Sequence, residues 1–201
     1  VNAGAGLSYG NLGYTHHSLQ DYGLLRLFPN MLIASPSDDM ETKACVKYII
    51  KNPQPSYLRL SKAKNINLHK KIPNLKPGKW LSIVKSKGRN KKAFLTTGKV
   101  ADLAKKLLLK KKFNRYSLFS LPIWGMKYKE KQKNQINRWD TILVLEDHLE
   151  DGGFGSWVKE SINNTNIKTK IISKNINTRV ISKVGSEKYL LDNYYLKFFG
   201  K

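Results

Sequence analysis

The segment TILVLEDHLEDGGFGSWVKESIN, residues 141–163, carries the two signals that decide the fold. Residues 141–146 are almost continuously apolar, which is typical of a parallel strand buried on both faces of a sheet. Gly152 and Gly153 then favour a tight turn into a helix predicted over residues 154–163. A buried strand, a short turn and a helix in this order predict α/β architecture.

The same alternation continues along the rest of the chain. It predicts two three-layer α/β/α units with mostly parallel sheets over residues 1–62 and 92–201. A Lys- and Asn-rich linker over residues 63–91 contains one strand, which is expected to form a hairpin with the strand that follows. The predicted strands are 1–5, 31–34, 56–60, 80–84, 93–97, 116–121, 141–146 and 167–172, and the predicted helices are 18–28, 40–51, 100–109, 127–139, 154–163 and 189–199.

The chain is strongly basic, with 37 Lys and Arg against 14 Asp and Glu in 201 residues and a formal net charge of +23. Six of the basic residues are arginines and 31 are lysines, spread over linkers and helix faces. Side chains that read base edges or bind phosphate in a bidentate manner are usually arginines. The composition therefore favours a solvated basic surface, compatible with anionic substrates, over a dedicated nucleic-acid-binding module.

Several features bear on location and completeness. The apolar runs are far shorter than the roughly 20 residues of a membrane span, and no signal peptide is recognisable, so a cytoplasmic location without a membrane partner is expected. The single cysteine, Cys45, excludes an internal disulfide and is expected to be a small buried side chain. Because the chain opens at Val1 in a strand-like segment and the first unit is small, part of that unit is expected from preceding sequence or from a partner.

The stretch GLSYGNLGYTHHSL, residues 6–19, is the first candidate site. Its glycines permit tight turns and close approach of a ligand, and it follows a predicted strand, where α/β folds bind ligands. His16 and His17 could exchange hydrogen bonds with a hydroxyl or carbonyl of a sugar-like substrate. The alternative is a structural turn with Thr15 or Ser18 as helix cap, and the residues alone leave both interpretations open.

Charged clusters follow two other predicted strands. The acidic residues after strand 141–146 favour a helix N-terminus, because acidic charge complements the helix dipole, over a metal site. Arg59 and Lys62 at the end of strand 56–60 could bind a substrate phosphate. The residues of the acidic cluster are Glu146, Asp147, His148, Glu150 and Asp151.

Four segments together resemble the transketolase family. GAGLSYGNLGYTHHSLQDYGLLRLFPNMLIASPSDDMETKA (4–44) is similar to the second half of the family's pyrimidine-binding domain, and PSYLRLSK (55–62) to its last strand. FLTTGKVADLAKKLL (94–108) and TILVLEDHLEDGGFGSWVKESI (141–162) resemble its C-terminal domain. The family includes deoxyxylulose-phosphate synthase and split, two-subunit transketolases, and this chain resembles the C-terminal subunit.

The resemblance implies thiamine-diphosphate-dependent transfer of a two-carbon ketol unit between sugar phosphates, with the cofactor as electron sink. His16 matches the family histidine that contacts the donor at the reacting carbon. His17 and Asn11 lie in the same substrate loop, and Arg59 or Lys62 matches the region that binds the phosphate end. The cofactor's Mg or Ca is expected on a partner domain, and no metal ligand is expected in this chain.

Arg26 matches the family's Leu-Arg, for which an ion pair with a structural role is expected. The family's loop acid falls on Leu12, which cannot accept a hydrogen bond from a substrate hydroxyl. Either the substrate lacks that hydroxyl, or Asn11 or His17 substitutes, or activity is impaired.

The family's cofactor-activating glutamate and stacking aromatic residue precede residue 1 in family order. The chain is therefore expected to be inactive alone, and to form a homodimer that works with an N-terminal pyrophosphate-binding transketolase subunit or domain. The alternatives are a deoxyxylulose-phosphate synthase-like chain, a 2-oxo acid dehydrogenase β subunit and, from another class, a non-catalytic basic nucleic-acid-binding module.

Overall fold

Residues 1–62, 67–86 and 91–195 are described by the computed structural model, and they form two β-sheets with helices packed against them. The predicted α/β class with mostly parallel sheets is confirmed. The strands are β1 (Asn2–Ala3), β2 (Leu32–Ala34), β3 (Ser56–Leu60), β4 (Leu81–Val84), β5 (Lys92–Thr96), β6 (Ser117–Ser120), β7 (Ile123–Trp124), β8 (Thr141–Leu145) and β9 (Lys170–Lys174), and the helices are α1 (Asp21–Leu25), α2 (Asp39–Lys51), α3 (Val100–Leu107), α4 (Glu130–Ile136), α5 (Phe154–Glu160) and α6 (Glu187–Tyr194).

The first sheet has the strand order β1-β3-β2-β7. Strands β1, β3 and β2 are parallel, and β7 is antiparallel to β2, with Ile33 opposite Trp124. The sequence did not predict β7, because two residues between Pro122 and Gly125 are too few to show a strand periodicity. A segment from the middle of the second unit's sequence therefore forms the edge of the first sheet.

The second sheet has the order β4-β6-β5-β8-β9, with β4 antiparallel at one edge and the other four strands parallel. The predicted hairpin of the linker strand with the next strand is wrong, because β5 is paired on both sides, by β6 and by β8. Strand β4 instead pairs with the edge of β6 that β5 leaves open. The apolar segment 141–146 is confirmed as a buried strand, since Ile142, Val144 and Leu145 have no exposed surface.

Several element boundaries depart from the predictions, and two of the departures have a clear local cause. Helix α1 is shorter than predicted because Ser18 is held in a two-residue bridge with Gly6 and cannot join the helix. Strand β9 lies further along the chain than expected, after Thr169 has bonded the carbonyls of Ile136 and Trp139. Residues 196–199 of the last predicted helix, and residues 63–66 and 87–90 of the predicted linker, lie outside the described residues.

One aromatic cluster joins the two units. Trp124 of the first sheet's edge strand is fully buried against Tyr22 of α1 and against Phe154 and Trp157 of α5, with ring centres 5.0 to 5.2 Å apart. Its indole N–H donates to the hydroxyl of Thr97, 3.1 Å away. A Trp side chain buries a large apolar area, so this contact holds the second unit firmly against the first.

One member of the acidic cluster after β8, Glu146, binds the start of a helix, which is the role that the sequence favoured for the cluster. The buried carboxylate of Glu146 accepts the backbone N–H groups of Phe154 (2.5 Å) and Gly155 (2.9 Å), the start of α5. Burial raises the pKa of Glu146 to about 8, although these two donors oppose the rise. Among the described residues, no three His, Cys, Asp or Glu side chains are arranged to hold a metal ion.

Two further expectations concern single features. Cys45 is buried in the core beside α2, and burial raises the pKa of its thiol, which makes it unreactive as a nucleophile. No helix among the described residues is long and apolar enough to cross a bilayer.

Asp38 fastens the linker to the first unit. It caps α2 by accepting the N–H of Glu41, and its other oxygen accepts the N–H groups of Leu68 and His69, each at 2.8 Å. Burial alone would raise the pKa of Asp38, but the hydrogen bonds from His69 and from these amides outweigh burial and lower it to about 2. A charged carboxylate with this many donors is worth more than an ordinary cap.

We predict that Asp38→Ala lowers the free energy of unfolding by about 2 to 4 kcal/mol, since a cap is lost and two linker amides lose their acceptor. Because the pKa is lowered from 3.8 to about 2, the stabilisation is present above the higher value and is lost as the pH falls through the lower one. Urea unfolding measured as a function of pH checks both the loss of free energy of unfolding and its dependence on pH. The exposed neighbour Asp39 is the control, and Asp39→Ala should cost under about 1 kcal/mol; equal losses in the two variants would contradict the assignment.

Candidate active site

The candidate site lies where two parallel strands end side by side. Ala3, the last residue of β1, is in register with Leu60, the last residue of β3. The glycine-rich loop follows β1 and Lys62 follows β3, so both lie at the same edge of the first sheet. In open α/β sheets, ligands bind outside the carboxyl ends of the strands, which is the edge that carries these residues.

Backbone hydrogen bonds close the base of the loop. The N–H groups of Gly4 and Ala5 both donate to the carbonyl of Leu60, and Gly6 and Ser18 exchange two bonds of 3.2 and 2.9 Å. Gly6 has a φ of 62°, and a side chain there would meet the carboxylate of Asp147, 2.6 Å from the added carbon. Glycine is therefore required at position 6 by both its conformation and its close packing.

His16 stands on the exposed part of the loop, at the end of a short 3-10 turn over Tyr14–His16. Its Nδ1 lies 3.0 Å from the hydroxyl of Thr15, and its ring packs edge-to-face on Tyr9 with 6.3 Å between ring centres. The ammonium nitrogen of Lys62 lies 4.8 Å from the centre of the same Tyr9 ring. The fold thus brings His16 and Lys62 together around one aromatic side chain.

Tyr9 was not among the residues predicted from the sequence. Its ring packs over Gly4, where any side chain would collide with it, so the bend after β1 fixes the ring's position. The signal in the sequence was an aromatic residue placed between glycines in a candidate substrate loop, a pattern that an ordinary turn also shows, so the residue did not stand out. Tyr9 is the residue that joins the two predicted site residues.

The other predicted loop residues point in different directions. Asn11 is exposed, whereas the side chain of His17 is buried under the loop. Burial lowers the pKa of His17, so its imidazole is neutral at pH 7. Leu12, at the position of the family's loop acid, is 57% exposed and presents an apolar side chain to solvent.

Arg59 lies beneath the loop and is separate from Lys62. Its guanidinium is fully buried, with Nε 2.6 Å from a carboxylate oxygen of Asp21 and Nη1 2.6 Å from one of Asp147. Nη2 donates to the carbonyl of Ser18 at 2.8 Å. Every nitrogen of the Arg59 guanidinium is therefore engaged within the protein, while Lys62 is exposed.

Burial and charge oppose each other in this cluster. Burial alone would lower the pKa of Arg59, but Asp147 and Asp21 raise it well above its ordinary value, so Arg59 is charged. Burial lowers the pKa of His148 to about 4, so its imidazole is neutral and stacks on Tyr22 with 5.1 Å between ring centres. The cluster holds one full positive charge between two carboxylates.

Arg26 forms the structural ion pair that was expected of it. Its two terminal nitrogens bind both carboxylate oxygens of Glu160, at 2.6 and 3.1 Å. Lys129 binds the same carboxylate at 2.5 Å. The pair links α1 to α5 and lies away from the loop.

Comparison with known proteins shows what the chain is similar to. Residues 1–66 match the family described as "Transketolase, pyrimidine binding domain". One subunit, named B, of the apulose-4-phosphate transketolase of Phocaeicola vulgatus is 26% identical over 181 residues, 86% of this chain and 55% of the relative. The corresponding subunit of Actinobacillus succinogenes is 30% identical over 164 residues, 81% of this chain and 51% of the relative.

Two further matches extend the comparison. 1-Deoxy-D-xylulose-5-phosphate synthase of Clostridium tetani is 30% identical over 166 residues, 81% of this chain and 26% of that protein. The solved structure of a split-gene transketolase, described as an inactive beta4 tetramer, superposes with a TM-score of 0.72 at 21% identity, covering 96% of this chain and 59% of that one, which shows a common fold.

These matches confirm the resemblance to the transketolase family, and the chain is a transketolase-like α/β protein. More particularly, it is similar to the C-terminal subunit of a split transketolase. It spans about half the length of the subunits that it matches, 55% and 51%.

We predict that Arg59→Met lowers the free energy of unfolding by about 3 to 5 kcal/mol, because it leaves the carboxylates of Asp21 and Asp147 buried without their counter-charge. Chemical denaturation measures the loss. The matched control is Arg26→Met, which should cost about 1 kcal/mol, since Lys129 still pairs with Glu160 at a half-exposed position. If Arg59→Met is no more destabilising than the control, the buried cluster does not hold the units together.

Proposed function

We propose that this chain is the C-terminal part, or the C-terminal subunit, of a thiamine-diphosphate-dependent transketolase-like enzyme that transfers a two-carbon ketol unit between sugar phosphates. The observation that carries the proposal is the grouping of His16, Tyr9 and Lys62 at the carboxyl edge of the first sheet. Residues 1–62 supply the substrate-facing half of a pyrimidine-binding domain, residues 63–91 the linker and residues 92–201 the C-terminal domain.

His16 acts on the oxygen atoms at the reacting carbon. Its exposed ring is steadied on one side by Thr15 and on the other by Tyr9. With Nδ1 directed to the Thr15 hydroxyl, Nε2 is left for a substrate hydroxyl or carbonyl oxygen. A neutral imidazole there donates a hydrogen bond that strengthens as negative charge develops on that oxygen.

Lys62 binds the phosphate end of the substrate. Of the two cations that the sequence offered, Arg59 is enclosed by its carboxylates, whereas Lys62 is exposed beside the loop. The Tyr9 ring, which also contacts His16, lies 4.8 Å from the ammonium nitrogen. A lysine serves here as a point charge and does not impose bidentate geometry on the phosphate.

Thiamine diphosphate supplies an electron sink for breaking and forming the carbon–carbon bond beside a carbonyl. The described residues at this edge fit the substrate side of such a site: a histidine, a cation and small backbone turns. No set of metal ligands accompanies them within the described part of the chain. The proposal therefore assigns the diphosphate and its Mg or Ca to an N-terminal partner subunit, with which a cytoplasmic homodimer of this chain works.

Leu12 bears on which substrate is accepted. The exposed leucine cannot accept a hydrogen bond where the family has an acid. Between the two residues that could replace the acid, Asn11 is exposed and His17 is buried under the loop, so the geometry favours Asn11. An amide still accepts a hydrogen bond from a hydroxyl, but without the added strength of a carboxylate.

A deoxyxylulose-phosphate synthase-like activity is the second candidate, favoured by the 30% identity to the Clostridium tetani enzyme. The two candidates differ in the donor, since one takes a ketose phosphate and the other pyruvate. Product analysis with each donor separates them.

We predict that His16→Ala lowers kcat/KM by about 100-fold or more, the usual cost of removing a hydrogen-bond donor that stabilises developing charge. The assay measures ketol transfer by this chain together with its N-terminal partner, thiamine diphosphate and magnesium. Lys43→Ala on the exposed face of α2 is the control and should leave the rate unchanged. An unchanged kcat/KM in His16→Ala would remove His16 from the site.

We predict that Lys62→Ala raises KM for a phosphorylated donor by about tenfold or more, the loss of one charge-assisted contact, with a smaller effect on kcat. The comparison uses the same donor with and without its phosphate group. The variant should lose selectivity for the phosphorylated form. Equal losses on both donors would show that Lys62 does not bind the phosphate.

A further inference from the structure

The two edges of the second sheet differ in charge. At the carboxyl edge, acids follow β8 directly (Glu146, Asp147, Glu150 and Asp151), and they lie among lysines such as Lys99 after β5 and Lys174 at the end of β9. The amino edge carries cations, which the chain places just before or at the start of the parallel strands. They are Lys91 and Lys92 at β5, Arg115 before β6, Arg138 before β8, Lys168 and Lys170 at β9, and Lys85, which follows the antiparallel strand β4 and so reaches the same edge.

The strand register aligns part of this set. Lys92 of β5 is paired with Thr141 of β8, which is paired with Lys170 of β9. Residues opposite one another in a sheet share a face, and neighbouring strands are about 4.8 Å apart, so the two lysines share a face at a backbone spacing of about 10 Å. Thr141 between them carries no charge.

These cations are exposed and unneutralised. Within the described part of the chain, Lys85, Lys92, Lys168 and Lys170 form no ion pair with a carboxylate. Among the described residues that directly precede a strand of this sheet, Asp140 is the one acid. Some lysines elsewhere are paired, as Lys99 is with Glu187 and Lys188 with Asp192, whereas Lys43 and Lys47 of α2 are, like the edge lysines, in no ion pair within the described part of the chain.

Like charges held at fixed positions on a sheet edge repel one another, and a polyanion relieves the repulsion. Lysine ammonium groups bind phosphates as point charges, and the scarcity of arginine disfavours reading of base edges. The candidate active site adjoins the opposite edge, since Gly6 of the loop packs on Asp147 after β8. A strand of five residues spans about 16 Å, so a ligand on the amino edge leaves the active site open.

We propose that the amino edge of the second sheet binds the phosphate backbone of nucleic acid without sequence preference. This function is additional to the proposed ketol transfer and does not depend on it. Composition alone disfavoured a dedicated nucleic-acid-binding module; the placement of the cations on one edge supports a secondary, purely electrostatic surface.

The test measures fluorescence anisotropy of a labelled oligouridine of about 20 nucleotides, titrated with the whole chain. Association constants between about 50 and 200 mM KCl should fall with a log–log slope of about −3 to −5, as for roughly four to seven phosphates on a single strand. The double variant Lys92→Glu, Lys170→Glu should bind at least about tenfold more weakly. Its log–log slope should be less negative than that of the wild type by about 1.4, because two phosphate contacts are lost.

The matched control is Lys43→Glu, Lys47→Glu on exposed positions of α2, which changes the net charge by the same amount. It should bind close to wild type, and thermal unfolding of both variants should show intact folds. Equal weakening in the two variants would show that binding depends on net charge and not on the amino edge, and it would overturn the proposal. Absence of binding at the lowest salt, or binding to phosphatidylserine vesicles without binding to the oligonucleotide, would overturn it as well.

Discussion

The buried guanidinium of Arg59 is the constraint on which the rest of the structure depends. A charge removed from water must be compensated, and here the compensation comes from two places: Asp21 at the start of α1 and Asp147 beyond the end of β8. Three segments distant in sequence are thereby held around one side chain. The glycine-rich loop rests on the same cluster, because Arg59 binds the carbonyl of Ser18 and Gly6 packs on Asp147. The loop that carries His16 thus rests on an ion pair buried beneath it.

The polar residues fall into two groups, the buried ones that stabilise the fold and the exposed ones around the loop. The buried ones, such as Glu146, Asp38 and Arg59, have their partners within the chain and fix helix starts, the linker and the junction of the units. The exposed ones around the loop have few partners, which leaves them available to a ligand. A sequence motif does not distinguish buried from exposed polar residues, because a charged residue at the end of a strand gives the same sequence pattern whether it faces the interior or the solvent. Arg59 and Lys62, three positions apart, belong to opposite kinds.

Much of the fold was predictable from local pattern. Apolar runs located the buried strands, the helix predicted over residues 40–51 corresponds to α2, and the glycines after the acidic cluster marked the turn into α5. What could not be predicted depends on contacts between distant segments. Strand β7 is defined by its pairing with β2, and the partner of β4 is determined by the open edge of β6. The contacts of Tyr9 require Lys62 to follow the neighbouring strand β3. Within the candidate site, the sequence pointed to the loop but could not show which of its side chains are buried, because burial depends on how the loop packs in the folded chain.

Strand β7 has a consequence for how the chain is divided. The linker separates two stretches of sequence, yet residues 123–124 return to the first sheet and supply its last strand, with Trp124 placed among the aromatic side chains of both units. Cutting the chain within the linker would deprive the first sheet of an edge strand and expose the backbone of β2, and it would leave a large indole without its pocket. A break at the linker would therefore divide one folding unit, although the sequence there has the composition of a boundary between two.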